Sequence, residues 1–121
     1  MIKNLWKVTN FYCNCRHTTP QKMQFVDGPS SLFYACPKYY PENREPGEPS
    51  CMMRMNLIDA EGVLEEFSKI IEEDEANNVI RDYRGFEFDY KTVHAKVISY
   101  SYDSGAEIII DNKKAMRWIK K

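Results

Sequence analysis

Cys13, Cys15, Cys36 and Cys51 all fall within the first 51 residues of a 121-residue chain. They are spaced as Cys13-x-Cys15, then 20 intervening residues to Cys36, then 14 more to Cys51. A close pair, a long gap and two further cysteines suit a tetrahedral zinc site in which a hairpin carries the chain away and back. Thiolates fit zinc because the ion is borderline-soft and imposes no geometry of its own. In a reducing compartment, clustered cysteines serve as metal ligands more often than as disulfides. A Cys-x-Cys pair also closes too small a loop for a relaxed disulfide. Two disulfides and four reduced structural thiols are the other readings of the same residues. His17 offers an alternative nitrogen ligand, set against the simpler reading of an exposed turn histidine beside Arg16.

The elements that must position these ligands read as strands. Lys22 to Asp27 mixes polar and apolar residues before the turn signal Gly28-Pro29-Ser30, and Leu32-Phe-Tyr-Ala-Cys36 returns. This is the organisation of a zinc β-ribbon over residues 1–57, a module whose small core depends on the ion.

Cys13-Asn-Cys15, Gly28-Pro29, Phe33-Tyr34-Ala-Cys36-Pro37 and Cys51 together resemble the GRF-type zinc finger, over roughly residues 10–57. That module is appended to topoisomerases and DNA-repair enzymes. The resemblance implies a zinc ribbon with Cys13, Cys15, Cys36 and Cys51 as ligands, and contact with single-stranded DNA. The chain departs from the family pattern in two places. Only Ser30-Ser31-Leu32 separates Gly-Pro from Phe-Tyr, without the family's Gly-Arg, and Met52-Met-Arg-Met55 stands where an aromatic strand belongs. That arginine belongs to the family's DNA surface, so the resemblance implies the fold more than the binding.

Beyond the hairpin, four prolines between Pro37 and Pro49 predict an extended loop rather than an element. Asp59 to Asp74 is a helix, with Val63, Leu64, Phe67, Ile70 and Ile71 on one stripe, Asp59 as N-cap and Asn77-Asn78 at its end. The run Glu72-Glu-Asp-Glu75 sits in its last turn, where the macrodipole favours cations, and reads as a solvated acidic end or a surface for a basic partner. Phe86, Phe88 and Tyr90, then Val93, Ala95 and Val97, alternate with polar residues as antiparallel strands. Asp103-Ser-Gly105 turns the chain into Ala106–Ile110. His94 is a solvent-side strand residue with no acid, base or nucleophile beside it. A short C-terminal helix begins at Asn112 and carries Lys113, Lys114, Arg117, Lys120 and Lys121 on one face.

The expected fold class is therefore α+β: an N-terminal zinc ribbon (1–57), then a small unit (58–121) of helix, antiparallel strands and short helix. Whether the two units share a core is open, although the helix stripe and the strand faces need each other. The formal charge of -1 excludes a strongly basic nucleic-acid binder. By halves, residues 1–57 hold seven Lys and Arg against four Asp and Glu, whereas residues 58–121 hold ten against fourteen. No run approaches ~18 apolar residues, so no membrane helix is expected. The start lacks a secretory pattern, which makes a cytoplasmic location the expectation.

No phosphate loop, Ser/His/Asp order or His-Glu-x-x-His occurs, and a four-cysteine site is coordinatively closed, so no enzyme is expected. The leading expectation is an accessory protein contacting single-stranded nucleic acid or a nucleoprotein complex. Phe25, Phe33, Tyr34, Tyr39 and Tyr40 would stack bases, and Arg16, Lys22, Lys38, Arg54, Lys113, Lys114 and Arg117 would meet phosphates. The rival is a protein-interaction adaptor in which zinc is only structural and the acidic helix end, the proline loop or an edge strand is the working surface. Edge strands in so small a sheet also allow a homodimer.

Overall fold

The computed structural model describes residues 9–14, 21–28, 32–48, 51, 53–101 and 105–112. The strands are β1 (Asn10–Cys13), β2 (Gln21–Lys22), β3 (Gln24–Asp27), β4 (Leu32–Ala35), β5 (Arg54–Asn56), β6 (Glu87–Tyr90), β7 (Val93–Ser101) and β8 (Gly105–Asn112). Among the described residues one α-helix, α1 (Leu57–Ala76), lies between β5 and β6. The strands form a five-stranded sheet in the order β2-β1-β8-β7-β6 and a three-stranded sheet in the order β3-β4-β5. The chain is thus mixed α+β.

Chain order and sheet order part company at β1. It runs parallel to β8, with Phe11 opposite Ile108 and Cys13 opposite Ile110. The remaining pairs are antiparallel, and β3 and β4 form the expected hairpin, with Phe25 opposite Tyr34. Met23 is the crossover between the sheets. Its N–H donates to Phe11 O at 2.8 Å and its side chain is buried, so the predicted strand from Lys22 is split at this residue. A single buried cluster runs from Phe11, Cys13 and Cys36 through Met53, Met55 and the helix to Val93, Ala95, Val97, Ile108 and Ile110.

Helix α1 buries Val63, Leu64, Phe67 and Ile71 of the stripe that periodicity predicts, and Ile70 is half-buried. Its N-cap is Asn56 rather than Asp59: Asn56 Oδ1 accepts the Asp59 N–H at 2.7 Å. Strand β5 therefore runs straight into the helix, and the cap is an extended residue at its join. At the other end Asn78 adopts φ 59°. The Val79 N–H donates to Asp74 O and the Asn78 N–H to Glu75 O, the two bonds of a Schellman closure. Phe67 is fully buried, stacked on Phe88 at 5.7 Å and edge-on to Tyr83 and Tyr100.

Tyr100 reaches that cluster through a register shift. Val97 pairs with Ile108 but Ser99 pairs with Glu107, so Ile98 is an extra residue in β7. This bulge rephases the strand, turning Ser99 outward to Glu107 and Tyr100 inward to Phe67.

Two expectations are corrected here. The segment after Cys36 holds two 3-10 turns, Pro37–Tyr39 and Pro41–Asn43, each opened by a proline whose fixed φ suits a first turn. Asn112 does not start a helix; it ends β8 and is buried. Its Nδ2 donates to Arg54 O at 2.7 Å and its Oδ1 accepts from Thr92 Oγ1 at 2.9 Å, which ties the end of the five-stranded sheet to β5. The expected C-terminal helix after Asn112, and most of the Asp103-Ser-Gly105 turn, lie outside the described residues. No helix among the described residues is long and apolar enough to cross a membrane.

Candidate metal centre

Cys13, Cys36 and Cys51 come together from three separate segments. Cys13 ends β1 on the core side of the five-stranded sheet, opposite Ile110. Cys36 follows β4; its N–H donates to Met53 O at 3.1 Å, and its carbonyl accepts the Tyr39 N–H at 2.9 Å. Cys51 precedes β5, and its N–H donates to Lys38 O at 3.3 Å. The first 3-10 turn is therefore held at both ends by cysteine backbones. This helps to bring Cys51 back beside Cys36.

The three sulfurs lie within 4.8 Å of one another, and Cys13 Sγ is 3.3 Å from Cys51 Sγ. That separation is far outside the ~2.05 Å of a disulfide, so the pair are thiols in contact. Tetrahedral zinc with Zn–S bonds near 2.3 Å would set its sulfurs about 3.8 Å apart. The 3.3 Å contact and the 4.8 Å upper limit lie on either side of that value. Cys13 and Cys36 are fully buried and Cys51 partly exposed. Sulfur donors suit a soft or borderline metal rather than a hard one, and a bound cation would offset the cost of burying thiolate charge. Cys15 and His17, the further ligand candidates, lie outside the described residues.

The residues expected to meet nucleic acid separate into groups. Phe33 and Arg54 share the outer face of the three-stranded sheet. The Arg54 guanidinium lies 5.9 Å from the Phe33 ring centre and 5.7 Å from that of Tyr39. Tyr34 points the other way, edge-on to Phe11 at 5.0 Å and to Phe25 at 5.2 Å, and burial pushes its hydroxyl pKa up. Lys38 is engaged inside its own loop, donating to Asn43 O at 3.0 Å and Glu48 Oε1 at 3.2 Å. Lys22 is exposed on β2, opposite Tyr12. Tyr39 and Tyr40 stand edge to face at 5.1 Å. Arg16, Lys113, Lys114 and Arg117 lie outside the described residues.

Two charged clusters escaped the sequence reading. His94 does have acids beside it: its Nδ1 is 2.7 Å from Asp89 Oδ1 and its Nε2 is 2.6 Å from Glu87 Oε1. The hydrogen bonds to Asp89 and Glu87 raise its pKa above the ordinary histidine value. The signal was available in the alternation, which puts residues 87 and 89 on the polar face of β6 just as it puts His94 on that of β7. Only the register, Asp89 opposite His94, makes them meet.

The second cluster answers the acidic run. Asp74 is buried at the helix end, where Arg81 donates to its carboxylate from Nε (2.8 Å) and from an Nη (3.2 Å), and Tyr83 Oη donates at 2.8 Å. The bond from Arg81, then that from Tyr83, holds the Asp74 pKa below the usual carboxylate value. Desolvation, chiefly, together with the bond to Asp74 pushes the Tyr83 hydroxyl up to about 12. One of the four acids is thus a structural ligand for the loop that follows.

The chain matches no protein-family model, and neither a curated protein nor a solved structure matches it.

Proposed function

We propose that this chain is a non-catalytic zinc-ribbon accessory protein, similar to the GRF-type finger, that contacts single-stranded nucleic acid or a nucleoprotein complex. The observation that carries the zinc reading is the convergence of Cys13, Cys36 and Cys51 from separate segments into one buried sulfur cluster. Cys15 is proposed as the fourth ligand, two residues after Cys13. Bound zinc would supply a closed structural cross-link and neutralise thiolate charge. The protein's own part is to seat Cys13 on the five-stranded sheet and Cys36 and Cys51 around the three-stranded one. A metal held there joins the two sheets at one point.

The nucleic-acid reading is supported by Arg54, set between Phe33 and Tyr39 on the outer face of β4 and β5. A guanidinium held over rings brings positive charge for phosphate and aromatic surface for bases to one place. Lys22 adds an exposed cation on β2, and Lys113, Lys114 and Arg117 are proposed to extend the positive surface. The contact would be modest and salt-sensitive, because few cations converge among the described residues. Titration of labelled single-stranded DNA and RNA oligonucleotides at low ionic strength tests it. Wild-type binding that falls about tenfold in R54A, with the fold intact, is expected; no binding by the wild type eliminates the reading.

A protein-interaction adaptor is favoured by a different surface. Ile80 is fully exposed and Val79 half-exposed, just beyond a helix whose solvent side carries Glu61, Glu65, Glu72 and Glu73. A partner captured through that end would survive nuclease treatment and be lost in I80D.

A further inference from the structure

Cys51 and Cys13 differ in a way that a purely structural ligand set does not require. Their sulfurs touch at 3.3 Å, yet Cys13 is fully buried whereas Cys51 is partly open to solvent. Cys36, the third member, is as buried as Cys13. Of these three cysteines, Cys51 is therefore the one open to an oxidant from solvent. The thiol already in contact with it belongs to β1 of the other sheet.

We propose that Cys51 and Cys13 are an oxidative modification site for hydroperoxides, with Cys51 the sulfur attacked and Cys13 the one that resolves it. The Cys51 thiolate attacks the peroxide, breaking the O–O bond; an S–O bond forms and the alkoxide or hydroxide released takes a proton. Cys13 then attacks Cys51 Sγ, an S–S bond replaces the S–O bond, and the departing hydroxide is protonated to water. Two thiols are oxidised by two electrons and one hydroperoxide is reduced to an alcohol and water. The sulfurs need to close by only about 1.3 Å to reach bonding distance.

The consequence for metal rests on the zinc reading above: the disulfide withdraws two of the ligands that would hold the ion. The cross-link then replaces the metal as the tie between the sheets. Oxidation would exchange one staple for another rather than unfold the chain.

The test uses the full chain, reduced, with its metal content measured first. It is treated with stoichiometric hydrogen peroxide, alkylated, digested and mapped by mass spectrometry. The expected product is a Cys13–Cys51 cross-linked peptide, reversed by dithiothreitol, with release of any bound zinc in step with the cross-link. The C51S variant should consume peroxide more slowly, and C13S should accumulate sulfenic and sulfinic acid at Cys51. The wild-type peptide map decides the matter even where a variant fails to fold. A different principal pairing, through Cys36 or Cys15, overturns the proposal, as does Cys51 oxidised without a cross-link. A chain that binds no zinc but forms the Cys13–Cys51 disulfide refutes the metal reading and leaves this pair standing.

Discussion

The ring of Tyr90 is seated on Gly62, at a height where the helix has no room for a Cβ. Gly62 is buried on α1, and Tyr90 ends β6 where the Lys91-Thr92 turn leads into β7. Glycine costs roughly 1 kcal/mol relative to alanine inside a helix. Here that cost is offset by the close approach of helix and sheet.

Replacing Gly62 with alanine, although alanine is the better helix former, should destabilise the fold by about 1–3 kcal/mol. Either the helix lifts or the ring swings away and leaves the Lys91 ammonium, which lies 5.4 Å from its centre. Chemical denaturation of G62A, Y90A and the double variant measures the coupling. The double variant should lose less than the sum of the singles; strict additivity would show that ring and glycine do not interact.

Asp74 predicts a pH dependence. Its folded pKa lies below the unfolded value, so the stability it contributes is present above the unfolded carboxylate range. That stability is lost as pH falls through the folded pKa. D74N removes the carboxylate that Arg81 and Tyr83 share, and should lower stability at neutral pH while flattening the acid limb of a stability–pH curve. Parallel curves for D74N and wild type would show that the cluster carries no such linkage.

His94 runs in the opposite sense. Its folded pKa is raised by Asp89 and Glu87, so its contribution is fully present below the unfolded value near 6.5 and fades as pH rises through the folded pKa. An NMR titration of the imidazole should show the raised value in wild type. D89N and E87Q should each bring it down toward the ordinary range, D89N the more. A wild-type imidazole titrating at the unfolded value would remove the clamp.

These pairs show which parts of the molecule were legible from sequence. The helix stripe through Val63, Phe67 and Ile71, the β3–β4 hairpin and the alternation of Val93, Ala95 and Val97 are local patterns, and each reads directly from residue spacing. The parallel pairing of β1 with β8 is not local: Phe11 and Ile108 are joined by packing that no short window contains. The roles of Asn112 and Asp74 are hidden from local sequence for a related reason. Both are polar residues whose partners, Arg54 O and Arg81, depend on where other segments end. The cysteine spacing marked Cys13, Cys36 and Cys51 as candidates without showing that Cys13 stands on one sheet and the other two beside the second.

The central claim is that those three sulfurs belong to a metal centre joining the two sheets. The most direct measurement is metal content of the purified full chain, paired with a thermal melt in the presence of a strong chelator. One zinc per chain is expected, with cysteine thiols that alkylate much faster once the ion is chelated and a large fall in melting temperature when it is removed. Serine at Cys36 should abolish stoichiometric binding. A folded, metal-free chain whose thiols titrate freely and whose melt ignores the chelator would contradict it.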